Sequence, residues 1–465
     1  MPLTHQAIGD ECRDTIPATV QRHGMDAFIP CHRLTEHGMD PDLAYDVITN
    51  ELLLDGQARL NLATFVTTWM PSTATKLMAD TADKNIIDKD EYPQTAELEA
   101  RCVNILADLW HSPESETATG CSTTGSSEAA MLAGMALKWQ WRKRRQAQGK
   151  PADRPNLVMG ANVQVCWEKF CRYWEVEPRP VPMEGERFHL GAPEAAAKCD
   201  ENTIGVVAIL GSTFDGSYEP VKEIAAALDA LESERGIDVP VHVDAASGGF
   251  VAPFIQPELE WDFRIPRVQS INASGHKYGL VYPGVGWAVW RDKTALPEEL
   301  IFNVNYLGGN MPTFALNFSR PGSEVIAQYF HFVSLGRAGF TRVIATARDV
   351  ATQVSAGIAE LGPYRLLTRG DELPVFAFTL NEDVHKYTVF DVSRGLRERG
   401  WLVPAYTFPE NRQDLSVLRI VVRAGMTHDM GELLLRHIHE LTDDLESLAA
   451  PIPSHTGARK EAFRH

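Results

Sequence analysis

Residues 239–250 read Val239-Pro-Val-His-Val-Asp244-Ala-Ala-Ser-Gly-Gly-Phe250, a short apolar run over 239–243 that ends on one acid and continues in small residues. A run that is apolar on both sides suits a strand covered on both faces of a parallel sheet. The two glycines that follow would let something bulky approach the backbone. Comparable runs occupy 156–160, 204–210, 270–273 and 285–290, with helical stretches between them. Strand alternating with helix predicts a wound α/β sheet, and in such sheets ligands collect beyond the carboxyl ends of the strands. Chemistry is therefore expected just after these runs.

Working outward, three regions emerge. The first, 1–58, is rich in polar and turn residues; it carries a predicted helix over 41–54, capped near Asp40 and ended by Asp55-Gly56, and looks too small for a core of its own. The second, 59–347, holds the large, mostly parallel sheet. The third, 348–465, is a smaller C-terminal α/β domain with runs at 374–380 and 417–422, a helix over 388–399, and a tail. Its last helix is expected to be capped by Thr427 and to bury a stripe of Leu434, Ile438, Leu441, Leu445 and Leu448.

Composition narrows the function. The 465 residues carry 44 Lys plus Arg against 62 Asp plus Glu, a formal charge of −18. A nucleic-acid binder needs a basic field to displace counterions, so that partner is not expected. The one basic cluster, Lys138 with Arg142 to Arg145, sits at the end of a helical pattern, where cations offset the helix dipole. No run approaches the roughly 18–20 apolar residues that span a bilayer, and the N-terminus lacks a signal-peptide layout. The seven cysteines are scattered without a C-x-x-C pair, which suits reduced thiols in a cytoplasmic protein and no disulfide frame or metal site. His437 and His439 point to different parts of a helix and do not suggest a metal site either.

The chemistry sits in two further stretches. Ser270-Ile-Asn-Ala-Ser274-Gly-His276-Lys277-Tyr-Gly279 runs from a strand into a turn that holds one lysine, thirty-three residues after Asp244. An acid at a strand end and a lysine in the next turn is what pyridoxal phosphate requires: the amine forms a Schiff base with its aldehyde and the carboxylate pairs with its pyridine nitrogen. Thr123-Thr-Gly125-Ser126-Ser127-Glu128 opens a helix, where free N–H groups, hydroxyls and the positive dipole end suit the cofactor phosphate.

With these blocks, the chain resembles the fold-type I pyridoxal phosphate enzymes and, within them, the glutamate decarboxylases of the bacterial acid-resistance kind. Further stretches carry the likeness: Asn61-Leu-Ala-Thr-Phe65, Lys84-Asn85, Ile87-Asp-Lys-Asp-Glu-Tyr-Pro-Gln94, Val163-Gln-Val-Cys-Trp167, Phe302-Asn-Val-Asn-Tyr-Leu-Gly-Gly309 and Asn317-Phe-Ser-Arg-Pro321. The resemblance implies release of carbon dioxide from L-glutamate to give 4-aminobutanoate, with one proton consumed per turnover and a role in acid tolerance. It makes Lys277 the Schiff-base lysine, Asp244 the partner of the ring nitrogen, and His276 a further catalytic residue. Ser126, Ser127, Ser274 and His276 would hold the phosphate, joined by Ser319 from a second subunit, with Gln164 on the ring face and Thr213 at its edge.

For the substrate, the resemblance implies Thr64 and Phe65, with Asn85 and Asp88 from the neighbouring subunit; Asp88 would have to be protonated to donate to a carboxylate. Arg423, in Leu418-Arg-Ile-Val-Val-Arg423, reads equally as a substrate-carboxylate group or as a surface arginine on an edge strand. The resemblance further implies a dimer as minimal unit; a hexamer and membrane association in acid, which bacterial relatives owe to an N-terminal arm that differs in this chain, stay open, and His465 reads equally as a lid on the site at neutral pH or as a disordered chain end. The tail lacks the basic, Trp-bearing helix through which plant relatives bind calmodulin. Ile86-Ile87 replaces an aromatic before the aspartate, and Ala424 stands where a second arginine is common. Another amino-acid decarboxylase and an aminotransferase stay open as alternatives; a nucleotide-binding scaffold has no G-x-G-x-x-G or P-loop to support it.

Overall fold

The computed structural model describes residues 30, 32–305 and 311–452, which fall in two compact units, 1–58 and 59–465. In the first unit the helix is Pro41–Leu52, and Asp40 caps it by accepting from the N–H groups of Asp42 and Leu43. Cys12, Cys31 and His465 lie outside the described residues, as do 306–310 and the tail from 453.

In the second unit seven strands form one sheet: β1 (Thr119–Thr123), β2 (Asn156–Gly160), β3 (Glu177–Val181), β4 (Thr203–Ile209), β5 (Val241–Asp244), β6 (Val268–Ala273) and β7 (Gly286–Trp290). Their order is β1-β7-β6-β5-β4-β2-β3. The five apolar runs are β2, β4, β5, β6 and β7, and β2, β4, β5 and β7 are buried along their whole length. One direction differs from the parallel arrangement those runs suggest: β7 is antiparallel to β6 and β1. The connection 274–285 is the Lys277 turn and contains no helix to carry the chain across the sheet, so the strand returns alongside its predecessor. β1 and β3 lack the apolar signature. β3, Glu-Pro-Arg-Pro-Val, is an edge strand, the place where proline cannot break a ladder.

The glycines after Asp244 serve the protein's own packing. A Cβ on Gly248 would stand 2.4 Å from the Leu210 carbonyl oxygen, and one on Gly249 3.1 Å from the Ala273 Cβ. The close neighbours at this turn are thus the ends of β4 and β6.

The C-terminal part builds a four-stranded antiparallel sheet in the order Tyr364–Leu366, Val375–Leu380, Ser416–Val421, Ala405–Thr407. Thr427 caps the helix His428–Glu446, which buries Leu434, Ile438, Leu441 and Leu445. The helix Ser323–Glu360 joins the two sheets, with a break at Gly336 (φ 56°). Phe340 and Ile344 on it belong to the large core, whereas Ala347, Val350 and Ala351 belong to the small one.

The basic cluster closes the helix Ser126–Ala147: Arg144 pairs with Asp238 at 3.2 Å and Arg145 donates to the Pro151 carbonyl. His437 Nδ1 accepts from Trp401 Nε1. Among the described residues no His, Cys, Asp and Glu cluster could hold a metal, and no helix is long and apolar enough to cross a membrane. The described cysteines are free thiols, and burial raises their pKa.

Candidate active site

Asp244 is the last residue of β5 and is 5% exposed. Its Oδ1 accepts from Asn272 Nδ2 at 3.0 Å and from the Ala246 N–H at 3.2 Å, and its Oδ2 accepts from Trp167 Nε1 at 2.8 Å. A carboxylate offers about four lone-pair sites, so one stays open on Oδ2. Asn272 reaches Asp244 because β6 runs beside β5 with those two residues paired in register. His242 shares the face of Asp244, two residues earlier in the strand. Its Nδ1 lies 2.8 Å from Ser270 Oγ and its Nε2 2.7 Å from Asn272 Oδ1, under the Trp167 ring at 5.1 Å. Burial pushes the His242 pKa down to about 4.

The lysine turn leaves β6 at its carboxyl end. The Ser274 N–H donates to the Ala246 carbonyl, and Thr67 clamps the turn, its hydroxyl donating to the Lys277 carbonyl at 2.6 Å and its N–H to that of His276 at 2.8 Å. Lys277 Nζ donates to Ser247 Oγ at 3.3 Å and lies 5.1 Å from the centre of the Phe65 ring. Desolvation lowers its pKa, with the Asp244 charge opposing. An amine so held is closer to its free-base, nucleophilic form.

On the other side of the turn stands the start of the helix Ser126–Ala147, with Gly125 as its N-cap and Ser126 and Ser127 in its first turn. A Cβ on Gly125 would come 3.0 Å from His276 Cε1, and one on Gly286 2.6 Å from the Ser126 nitrogen. These two glycines let the helix start, the lysine turn and β7 converge. Ser274 Oγ and His276 Nδ1 are buried with no hydrogen-bond partner, and burial pushes the His276 pKa down to about 4. Buried polar atoms are nearly always paired. Two orphans beside free helix N–H groups therefore fit a phosphate, and the open lone pair of Asp244 fits a ring N–H. Glu128, in the same first turn, takes no part: it accepts from the N–H groups of Thr124, Leu316 and Asn317 and fixes that loop.

The two arginines of the strand region differ. Arg423 lies two residues past Ser416–Val421 and is 7% exposed, which excludes the surface-arginine reading. Its guanidinium donates to the Val66 carbonyl at 2.8 Å, to Thr68 Oγ1 at 2.7 Å and to the Asn61 carbonyl, holding the 61–68 loop. Arg419, inside the strand, lies 4.9 Å from the Phe65 ring centre and donates to the Ala63 carbonyl at 2.6 Å and to the Thr213 carbonyl. The Nε of Arg419 and that of Arg423 are both buried without a partner. Phe65 thus has Lys277 and Arg419 against its ring, and Thr213 is reached through its backbone. In the sequence Arg419 and Arg423 are alike, because both interrupt the same apolar run. The place of Arg419 inside that run, where a charge is buried, was the available signal.

The remaining candidates divide. Thr64 Oγ1 accepts from the Val66 N–H, and Gln164 caps the helix Val165–Tyr173 through Oε1. Asn85, Asp88 and Ser319 gather in a second cluster: Asn85 Nδ2 donates to Asp88 Oδ2 at 2.9 Å and to Ser319 Oγ at 3.3 Å. Among the described residues no hydrogen bond or ion pair joins these three side chains to Asp244, His276 or Lys277. Ile86 and Ile87 are buried, Ile86 in the large core.

Comparison with known proteins agrees with this geometry. Residues 37–381 match the profile of the pyridoxal-dependent decarboxylase conserved domain. A glutamate decarboxylase of Aliivibrio fischeri is 52% identical over 462 residues, covering 96% of this chain and 99% of the relative. Glutamate decarboxylase 5 of Arabidopsis thaliana is 50% identical, covering 92% of this chain and 86% of the relative. The solved Lactobacillus brevis glutamate decarboxylase superposes with a TM-score of 0.87 at 46% identity, over 90% of this chain and 96% of the other. The chain belongs to the pyridoxal-dependent decarboxylases and groups there with the glutamate decarboxylases.

Proposed function

We propose that this chain decarboxylates L-glutamate to 4-aminobutanoate, with pyridoxal 5'-phosphate as cofactor and one proton consumed per turnover. The observation that carries the reading is the set of unused polar valences around Lys277: an open lone pair on Asp244 on one side, and Ser274 Oγ and His276 Nδ1 on the other. When bound, pyridoxal phosphate supplies a conjugated, protonated ring that takes up the electron pair released as the Cα–carboxylate bond breaks.

The chain's own residues do the rest. Lys277 Nζ would hold the cofactor covalently until the substrate amine takes its place, and the freed amine, with its lowered affinity for protons, would then pass a proton to Cα. Asp244 Oδ2 accepts the ring N–H. Ser126, Ser127, Ser274, His276 and the helix start hold the phosphate. Gln164 would cover a ring face and Thr213 would lie at the ring's edge. Arg423 or Arg419, each with a buried and unpartnered Nε, takes a substrate carboxylate in a charge-assisted bond, while Arg423 and Thr64 also shape the 61–68 loop. Asn85, Asp88 and Ser319 act on the site of a second subunit, which makes a dimer the smallest complete unit; their gathering in one cluster supports this reading.

Incubation of the purified protein with L-glutamate and the cofactor tests the reaction. The expected result is carbon dioxide and 4-aminobutanoate in equal amounts, with no turnover of L-aspartate. Accumulation of 2-oxoglutarate when a second 2-oxo acid is added as amino acceptor would instead establish an aminotransferase.

A further inference from the structure

The hydrogen bonds behind Asp244 can be assigned donor by donor without seeing a hydrogen. A carboxylate only accepts, so Asn272, 3.0 Å from Oδ1, must turn its amide NH2 toward Asp244. Its Oδ1 then faces His242 Nε2 at 2.7 Å, and that nitrogen must be the donor. Nδ1 is left bare and takes the Ser270 hydroxyl at 2.8 Å. The donors run one way, Ser270 to His242 to Asn272 to Asp244, and in a buried chain aligned bonds polarise one another.

We propose that His242, fixed as its Nε2–H tautomer, is a positioning residue that acts through Asn272 to keep Asp244 an accepting carboxylate aimed at the cofactor's ring nitrogen. This rests on the assignment of Asp244 to that nitrogen. Without the Nε2–H donor, nothing holds Asn272 against turning over and presenting its carbonyl oxygen to Asp244, which would cost the carboxylate a donor and loosen its aim at the ring nitrogen. Asp244 is the charged group that faces His242. The flanking strands place Val207, Ser270 and Asn272 beside it, and the helix Val165–Tyr173 adds the indole of Trp167. The low proton affinity of the buried ring keeps His242 neutral and the donor order unbroken across the ordinary pH range.

The test compares holoenzymes in which His242 keeps or loses that donor, reading cofactor dissociation and the pH dependence of the bound cofactor's visible absorption. His242→Phe should weaken cofactor binding about tenfold, the scale of one buried hydrogen bond, and move the spectral transition by about one pH unit. His242→Gln, whose amide can still donate to Asn272, should stay within about twofold of wild type. Ser270→Ala, which removes only the outer donor and keeps the ring, should shift both readouts about threefold in the same direction, and it decides the matter if His242→Phe does not fold. Unchanged spectra and affinity in His242→Phe or Ser270→Ala would overturn the relay, as would a Gln variant as impaired as Phe. Asp244→Ala separates the two layers. If it binds the cofactor with a wild-type spectrum, the Asp244 assignment itself is wrong; if it alone is impaired, only the relay is.

Discussion

The two sides of Lys277 are built on opposite plans. Around Asp244 all but one lone pair is spoken for: three donors converge on the carboxylate, and the residues behind it, Asn272, His242 and Ser270, pair with one another. Around Ser274 and His276 the polar atoms are as buried and lack partners. The first side is finished by the chain but for that one lone pair, and the second is finished by what binds. A pyridine nitrogen meets a single lone pair, which has to be aimed in advance. A phosphate brings several acceptor oxygens, and a cradle of uncommitted donors suits it better.

The largest effect should come from breaking the finished side. Asp244→Ala removes the acceptor on which three donors converge, and activity should fall more than about a thousandfold, measured as kcat on L-glutamate; a loss below tenfold would mean that the ring nitrogen is held elsewhere.

The two histidines that flank the site, His242 and His276, sharpen the contrast through pH. Each has its folded pKa pushed to about 4, against about 6.5 in an unfolded chain. With the folded value depressed, each contributes stability above pH 6.5 that is lost as pH falls toward 4, up to roughly 3 kcal/mol per ring. The apoenzyme's Tm should therefore drop across that window. Cofactor binding should shrink the part due to His276, because a phosphate favours its charged form, and leave the part due to His242. Parallel apo and holo curves would contradict the assignment of His276 to the phosphate.

If Arg419 takes the substrate carboxylate, Arg419→Gln should lower kcat/KM for L-glutamate about fiftyfold, the loss of one charge-assisted bond to the substrate, without changing cofactor affinity. Arg423→Gln should instead lower Tm, because it unties the 61–68 loop. Exchanged outcomes would exchange the two roles.

Ser274→Ala is the mildest test and the most selective. It should weaken cofactor binding about tenfold while leaving the apoenzyme's Tm level or slightly higher, because the hydroxyl it removes is unsatisfied there. Asn272→Ala, on the finished side, should lower both. Equal behaviour of the two would erase the contrast.

The sequence made much of this fold legible, for a physical reason: a strand covered on both faces must be apolar throughout, so β2, β4, β5, β6 and β7 stood out as runs. β1 and β3 did not, because a Thr-Gly-Cys-Ser-Thr strand and a proline-bearing edge strand lack that constraint. The direction of β7 depends on whether its connection contains a crossing helix, which apolar pattern does not report. Within the site, Asp244 and Lys277 were readable because each follows a run directly. Ser274, His276 and the helix start were readable by their neighbours, yet that two of these atoms lack partners is a fact of three dimensions. Arg419 and Arg423 differ by which loop carbonyls surround them, and those carbonyls come from residues more than 200 positions away. The glycines after Asp244 invited a ligand reading and turned out to pack the ends of β4 and β6.

Reduction of the cofactor-loaded protein with borohydride, followed by peptide mapping, addresses the whole arrangement most directly, because it marks the one side chain that bonds the cofactor between the two halves of the site. The cofactor should be found on the peptide that contains Lys277, at one per chain. Its appearance on any other lysine, or no fixation at all, would contradict the account.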